Sequence, residues 1–83
     1  MRTLRIHKDV EKFLNSLNSD TSLRIEYAME ELCNIPPTGD ISRLRGREPF
    51  LRLRVGGYRI IFCIGETTID VIKVSTRSKA YKD

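Results

Sequence analysis

Residues 51–62 constrain the fold of this chain more than any other segment, because strand periodicity flanks a tight turn on both sides. The segment reads Leu-Arg-Leu-Arg-Val-Gly-Gly-Tyr-Arg-Ile-Ile-Phe. Successive side chains of a strand point to opposite faces, so the aliphatic residues of the first strand share one face and its arginines share the other. Gly56-Gly57 favours a tight hairpin because both residues tolerate positive φ. We therefore predict a hairpin with one core face and one cationic face.

Two amphipathic helices are predicted upstream of the hairpin. Apolar residues recur at i, i+3, i+4 and i+7 in two windows, Val10, Phe13, Leu14 and Leu17 and then Ile25, Ala28, Met29 and Leu32. The first window predicts a helix of about three turns. Ser19 or Asp20 is expected to cap the second helix by accepting a hydrogen bond from its free amide groups, and Pro36-Pro37 to end it.

The predicted strands and their order define a fold class. Strands are expected at residues 2–6, 50–55, 58–64 and 68–74, with a polar loop at 38–48. The element order is then β-α-α-β-β-β, and the last three strands form an antiparallel meander. Both helices must bury their apolar stripe on the same sheet face, which predicts a two-layer α+β fold. With 83 residues, the chain is expected to be a single domain, 1–83.

Composition and charge narrow the classes of function. No apolar run approaches the roughly 20 residues that a membrane helix needs, and residues 1–6 lack the apolar region of a signal peptide, so we expect a cytoplasmic protein without membrane contact. Residues 1–42 contain five Lys/Arg and seven Asp/Glu, whereas residues 43–83 contain ten and four. The second half therefore suits a nucleic-acid face, the alternative being a solvated basic surface.

The cysteines and the histidine indicate neither a metal site nor histidine-pair catalysis. Cys33 and Cys63 lie in apolar segments without a second cysteine or histidine at metal-ligand spacing, so we expect no metal and two buried free thiols. A disulfide between them is the alternative reading. His7 is the only histidine and is expected at a strand-to-helix junction, which excludes a ribonuclease that depends on a histidine pair.

The cationic face of the hairpin is the candidate site. Its arginines, with one that follows the last strand, are Arg52, Arg54, Arg59 and Arg77. Guanidinium groups keep their charge and bind phosphate oxygens through two donors at once. Alternatively, Arg52 and Arg54 only cover a solvent-exposed sheet face, and Arg59 forms an internal ion pair with Glu48 or Glu66. Residue types alone therefore indicate phosphate or nucleic-acid binding, without establishing catalysis.

Three segments taken in order resemble the RelE/ParE toxin superfamily. They are Leu-Arg-Gly at 44–46, the whole of 51–62, and Arg-Ser-Lys-Ala-Tyr at 77–81. The resemblance implies a RelE-like two-layer fold and a toxin of a type II toxin–antitoxin pair, with a cognate RelB-like antitoxin that wraps the domain with a helix and a strand. RelE-like members cut messenger RNA in the ribosomal A site without metal or cofactor, so ribosome and mRNA are the other implied partners.

The resemblance also implies roles for individual residues. Arg59 and Arg77 would contact the scissile phosphate, and Tyr81 would stack on or orient the substrate or help to activate the attacking 2′-hydroxyl. The remaining implied RNA- or phosphate-binding residues are Arg45, Arg52, Arg54 and Lys79. Tyr81 has the alternative reading of a surface anchor near the chain end.

Two departures from relatives bear on the mechanism. Arg52 and Arg54 stand where well-known RelE-type enzymes have lysines, and an arginine does not lose its proton at physiological pH, so neither is a general base. Deprotonation would fall to Tyr81, to a ribosomal group or to electrostatic activation. Thr76 stands where many relatives carry histidine. The alternative functions are a non-catalytic ParE-like inhibitor of DNA gyrase and a degenerate toxin that only binds its antitoxin.

Overall fold

The computed structural model describes residues 1–76, which form two helices and five strands. In chain order the elements are β1 (Thr3–Ile6), α1 (Lys8–Asn15), α2 (Ser19–Glu31), β2 (Asp40–Arg43), β3 (Leu51–Val55), β4 (Tyr58–Ile64) and β5 (Thr68–Thr76). The predicted helices and strands are all present. The observed order, β-α-α-β-β-β-β, contains one strand more than predicted.

The sheet has the strand order β1-β5-β4-β3-β2. Strands β3, β4 and β5 pair antiparallel with their neighbours, which confirms the predicted meander. The first strand instead pairs parallel with β5, with Leu4 opposite Ile69 and Ile6 opposite Val71. A parallel pair requires a long crossover connection, and the two helices that follow β1 provide its first part. The sheet is therefore antiparallel at every pair except this one.

The extra strand, β2, corrects the prediction of a polar loop at 38–48. Its four residues pair antiparallel with β3, placing Asp40 opposite Arg54 and Ser42 opposite Arg52. Only one of the four, Ile41, is apolar, so the segment lacks the alternation from which strands are recognised. The segment forms a strand because its backbone pairs with the edge of β3, which its side-chain pattern does not predict.

The core lies between the helices and one face of the sheet. The buried side chains on the sheet side include Leu53, Ile60, Phe62, Ile69 and Val71, and those on the helix side include Val10, Leu14, Ile25, Met29 and Leu32. Each such side chain contributes about 1.5–3 kcal/mol by leaving water. The predicted two-layer arrangement is confirmed, with both helices on the same face of the sheet.

The helix ends differ in detail from the prediction. Helix α1 has eight residues, about two turns rather than three, and Leu17 lies beyond its end. The predicted N-caps of α2, Ser19 and Asp20, were wrong by one and two residues, because Asn18 is the N-cap and its Oδ1 accepts a hydrogen bond from the Thr21 amide at 2.9 Å. Asparagine is as good a cap as serine or aspartate, so residue type alone does not choose between neighbours. Helix α2 ends at Glu31 with Leu32 as its C-cap, several residues before Pro36-Pro37, so the prolines do not terminate it as predicted.

Both cysteines are free, Cys33 buried and Cys63 half-buried. Burial raises the pKa of both thiols, and the carboxylate of Asp70, which lies opposite Cys63 across β4 and β5, raises that of Cys63 further. His7 occupies the junction between β1 and α1, as predicted, and makes no side-chain capping hydrogen bond. Neither helix in residues 1–76 has the length and apolar character needed to cross a membrane.

Candidate nucleic-acid interface

The sheet face that points away from the helices carries the predicted arginines. Residues directly opposite each other on paired strands project to the same side. The register therefore builds two rows across β2, β3, β4 and β5, one of Asp40, Arg54, Arg59 and Ser75 and the other of Ser42, Arg52, Ile61 and Lys73. We call this surface the open face. It confirms that the three strand arginines share one side, as the alternation predicted.

A depression of about 450 Å³ lies on the open face. Its lining residues are Leu44, Arg47, Phe50, Arg59, Ile61, Ile72, Lys73 and Ser75. Three of them are cationic, four are apolar and none is acidic. The depression therefore offers positive charge beside an apolar surface.

Arg59 is the predicted site residue that lies in this depression. It is half-buried in the middle of the sheet, between β3 and β5. The internal ion pair considered for it is not formed, because Glu48 instead pairs with Arg43 at 3.6 Å and no carboxylate in residues 1–76 pairs with Arg59. Its guanidinium donors thus remain available to an anionic ligand.

Arg52 and Arg54 are held by the extra strand. The Arg52 Nε donates a hydrogen bond to Ser42 Oγ at 3.0 Å, and Arg54 Nε lies 3.5 Å from Asp40 Oδ2. Like charges directly opposite each other on neighbouring strands repel, as Arg54 and Arg59 do. The Asp40 carboxylate offsets that repulsion, and it also lowers the net positive charge at this edge of the open face.

Residues 44–50, the loop between β2 and β3, place three further residues at the depression, Leu44, Arg47 and Phe50. Within this loop the Arg47 amide donates to the Leu44 carbonyl at 3.2 Å, and the Phe50 amide donates to the Arg47 carbonyl at 2.8 Å. These bonds fix the backbone of Arg47 and Phe50, whose side chains line the depression. Neither Arg47 nor Phe50 was predicted as a site residue from the sequence, since a loop residue reaches a strand face only through tertiary folding.

An irregularity in β5 adds Ile72 and Lys73. The register between β4 and β5 shifts after Ile61, so that Ile61 lies opposite Lys73 while Phe62 lies opposite Val71. Ile72 is the extra residue, and both it and Lys73 line the depression. The signal that could have identified Lys73 is its position as a lone cation in an otherwise apolar run, Val71 to Val74.

The other predicted site residues do not line the depression or lie outside the described residues. Arg45 is exposed in the turn between β2 and β3. Arg77, Lys79 and Tyr81 lie outside residues 1–76, so their roles stay predictions. Tyr58 is half-buried and packs against the core, with its ring edge-on to that of Phe13 at 6.2 Å between centroids.

The chemistry available on the open face is that of a binding surface for anions. Arginine and lysine side chains are ordinarily cationic at physiological pH, and the half-buried position of Arg59 strengthens its attraction for phosphate. In the described part of the chain, no three His, Cys, Asp or Glu side chains come together in a way that could hold a metal ion.

Comparison with known proteins gives likenesses over nearly the whole chain. A family model described as "ParE toxin of type II toxin-antitoxin system, parDE" matches residues 3–81. "Putative toxin RelE1" of Methanocaldococcus jannaschii is 31% identical over 85 residues, which cover 96% of this chain and 94% of that protein.

Solved structures extend the likeness to the fold. The toxin of a RelB-RelE antitoxin-toxin complex from Methanococcus jannaschii matches with a TM-score of 0.76 and 26% identity, covering 94% of this chain and 95% of that one. The isolated E. coli RelE toxin matches with a TM-score of 0.75 and 20% identity, and the match covers 99% of this chain and 97% of that one. These matches confirm the predicted two-layer fold.

Proposed function

Because this chain belongs to the RelE/ParE superfamily of type II toxin–antitoxin toxins, we propose that it inhibits translation as a ribosome-dependent endoribonuclease that cuts messenger RNA in the A site. The observation that carries the proposal is Arg59, a half-buried guanidinium on the open face without a carboxylate partner in residues 1–76. Leaving a partly buried charge unpaired is costly. The cost is repaid when a phosphate binds there.

The proposed reaction is an internal transfer at phosphorus. The ribose 2′-oxygen bonds to the adjacent phosphorus while the bond from phosphorus to the 5′-oxygen breaks, which yields a 2′,3′-cyclic phosphate and a 5′-hydroxyl. Arg59 donates hydrogen bonds to the non-bridging oxygens, whose negative charge grows in the transition state. Arg77 is proposed to share this role and to stabilise the leaving 5′-oxygen through hydrogen bonds, while that oxygen takes up a proton from water. The 2′-hydroxyl proton passes to the phenolate form of Tyr81, to a ribosomal group or to water, because the arginines stay protonated and can act only electrostatically.

Arg52, Arg54, Arg45 and Lys79 are proposed to guide the RNA backbone. Arg52 and Arg54 already have partners on β2, Ser42 and Asp40, so their orientation is set before RNA arrives. Positive groups held in place bind an anion at a lower entropic cost than free side chains do.

A RelB-like antitoxin is the proposed inhibitor. The structural relative from Methanococcus jannaschii is the toxin of a RelB-RelE complex. For the present chain, an antitoxin segment with acidic side chains would neutralise the open face and prevent RNA from binding. Such a pair would act in the cytoplasm, where the ribosomes are.

Primer extension on a defined messenger RNA in a reconstituted translation system tests the proposal. Cuts within A-site codons should appear only when ribosomes are present. Arg59→Ala should slow cleavage roughly 100- to 1000-fold, the usual effect of removing one donor to a developing oxyanion. Arg24→Ala, which removes an exposed arginine from α2 in the helix layer, is the matched control and should cut normally.

ParE-like inhibition of DNA gyrase is the second candidate function, since the family model that matches the chain is named for the ParE toxin. Intact message together with arrested growth and damaged or relaxed plasmid DNA would replace ribonuclease activity with ParE-like inhibition of gyrase. Intact message with normal growth would instead identify a degenerate toxin that retains only antitoxin binding.

A further inference from the structure

The depression on the open face has an apolar wall that phosphate binding does not require. Leu44, Phe50, Ile61 and Ile72 line it, on the side of the sheet away from the core. All four are half-buried, so part of each side chain remains accessible. Leaving apolar surface in contact with water is unfavourable, which makes this wall suitable for an apolar ligand group.

The polar part of the same depression is cationic. Arg47, Arg59 and Lys73 approach it from the loop, from β4 and from β5, and no acidic residue lines it. None of the three forms an ion pair within residues 1–76. A matching ligand therefore combines an anionic group with an apolar, preferably flat, group a short distance away.

We propose that this depression is a subsite for a single unstacked nucleotide, with the base against Phe50 and its aliphatic neighbours and the phosphate held by Arg47, Arg59 and Lys73. The proposal rests on the proposed function for its substrate class, single-stranded RNA. A volume of about 450 Å³ lies within the range of about 300–1,000 Å³ typical of small-ligand pockets. Recognition of single-stranded RNA commonly uses unstacked bases placed on aromatic side chains.

The loop of residues 44–50 is then the part of the subsite that determines base preference. It contributes Leu44, Arg47 and Phe50, and its backbone hydrogen bonds hold the last two in place before a ligand binds. Arg59 and Lys73 come from strands in the middle of the sheet, so their positions are set by the fold. Changes in the loop should therefore alter which base is preferred, whereas changes at the strand cations should weaken all nucleotides alike.

Titration of the ¹⁵N-labelled protein, followed by NMR, tests the subsite without any cleavage step. The probes are the four nucleoside 5′-monophosphates and ribose 5-phosphate, which has the sugar and phosphate but no base. Nucleotides should shift the amide signals of Phe50, Ile61 and Lys73. They should bind about 5- to 140-fold more tightly than ribose 5-phosphate, which corresponds to stacking of about 1–3 kcal/mol at 1.4 kcal/mol per tenfold.

Substitutions assign the two parts of the ligand. Phe50→Ala, and Phe50→Leu as a more conservative version, should remove most of the advantage of nucleotides over ribose 5-phosphate. Lys73→Ala should weaken the binding of nucleotides and of ribose 5-phosphate by the same factor. Tyr27→Ala and Lys12→Ala, which remove an exposed aromatic residue and an exposed lysine from the helix layer, should change neither affinity. Amide spectra that keep the dispersion of the parent protein verify folding.

The outcomes separate this proposal from the proposed function. Equal binding of nucleotides and ribose 5-phosphate, or the absence of shifts at the three reporter amides at the highest soluble ligand concentration, would overturn the base subsite. RNA cleavage could still occur in that case, since it requires only phosphate contacts. Base-dependent binding in a protein that does not cut ribosome-bound message would support the subsite and refute the ribonuclease.

Discussion

Substitution of Gly39 by alanine should destabilise the domain more than any other glycine-to-alanine change in the β2 and hairpin region. Gly39 directly precedes β2 and has φ of +134°, which side-chain-bearing residues rarely adopt. A Cβ atom there would lie 2.8 Å from Leu53 Cδ1. Leu53 is only 1% exposed, so it has little space into which to retreat.

The expected cost combines backbone strain and steric overlap. A residue held in a sparsely populated backbone region costs about 1–3 kcal/mol, and overpacking of a dense core costs about 1–3 kcal/mol. Together they predict a loss of about 2–6 kcal/mol from the free energy of unfolding. A domain of 83 residues has about 4–12 kcal/mol in total, so the substitution should remove a large part of it.

Urea denaturation followed by circular dichroism measures this loss as a lower midpoint at an unchanged m-value. Two other glycines separate the causes. Gly46 has a φ of +66°, and a Cβ atom added there would have no neighbour within 4 Å. Gly46→Ala should therefore lower the free energy of unfolding only by the strain of a left-handed backbone, about 1–2 kcal/mol. Gly57→Ala has neither positive φ nor a close neighbour and should change stability little.

A double-mutant cycle isolates the overlap. Leu53→Val removes the atom that the new methyl group would meet, so Gly39→Ala should cost less in that background than in the parent protein. Steric overlap with Leu53 is refuted as a cause if Gly39→Ala costs no more than Gly46→Ala, or if its cost is the same in both backgrounds.

Three further predictions concern the site, a helix cap and a thiol. Asp40→Asn removes a negative charge beside Arg54 and should raise affinity for single-stranded RNA, because the gain in net positive charge outweighs the lost orientation of Arg54. Fluorescence anisotropy should show a salt dependence steeper by about 0.7 in the log–log slope. Asn18→Ala removes the cap of α2 and should lower the unfolding free energy by about 0.5–2 kcal/mol in urea titrations. The raised pKa of Cys63 keeps its proton bound in the folded state, so stability should fall as pH rises above 9.0, and fall less in Cys63→Ala.

Each of these predictions has a control and a contrary result. Glu11→Gln also removes one negative charge, but on α1, and should leave the affinity for RNA unaltered. If Glu11→Gln raised the affinity as much as Asp40→Asn does, the effect would be due to net charge alone. Ser19→Ala should lower the free energy of unfolding less than Asn18→Ala does. The reverse order would indicate that Ser19, as predicted from the sequence, is the N-cap. Unfolding free energies that fall equally steeply with pH in the parent protein and in Cys63→Ala would show that the thiol is not responsible.

Much of the fold could be predicted because it depends on local periodicity. The period of the apolar residues identified both helices and the β3–β4 hairpin, and the observed β4, 58–64, matches the predicted strand. The same alternation placed the strand arginines on the side opposite the core. The strand β2 could not be found in this way, because its polar residues become a strand only through pairing with β3.

The sequence by itself determined which apolar residues of the helices and of the hairpin face the core and which strand arginines share a face, since side-chain direction follows from helix and strand geometry. Only the tertiary structure decided which cations face the depression unpaired. Arg52 and Arg54 have partners on β2. Arg59 instead lines the depression together with Arg47 and Phe50 from the loop between β2 and β3, and with Lys73, which the register shift between β4 and β5 places there. Contacts between segments far apart in sequence depend on sheet order and register, and neither is encoded in the periodicity of any single segment.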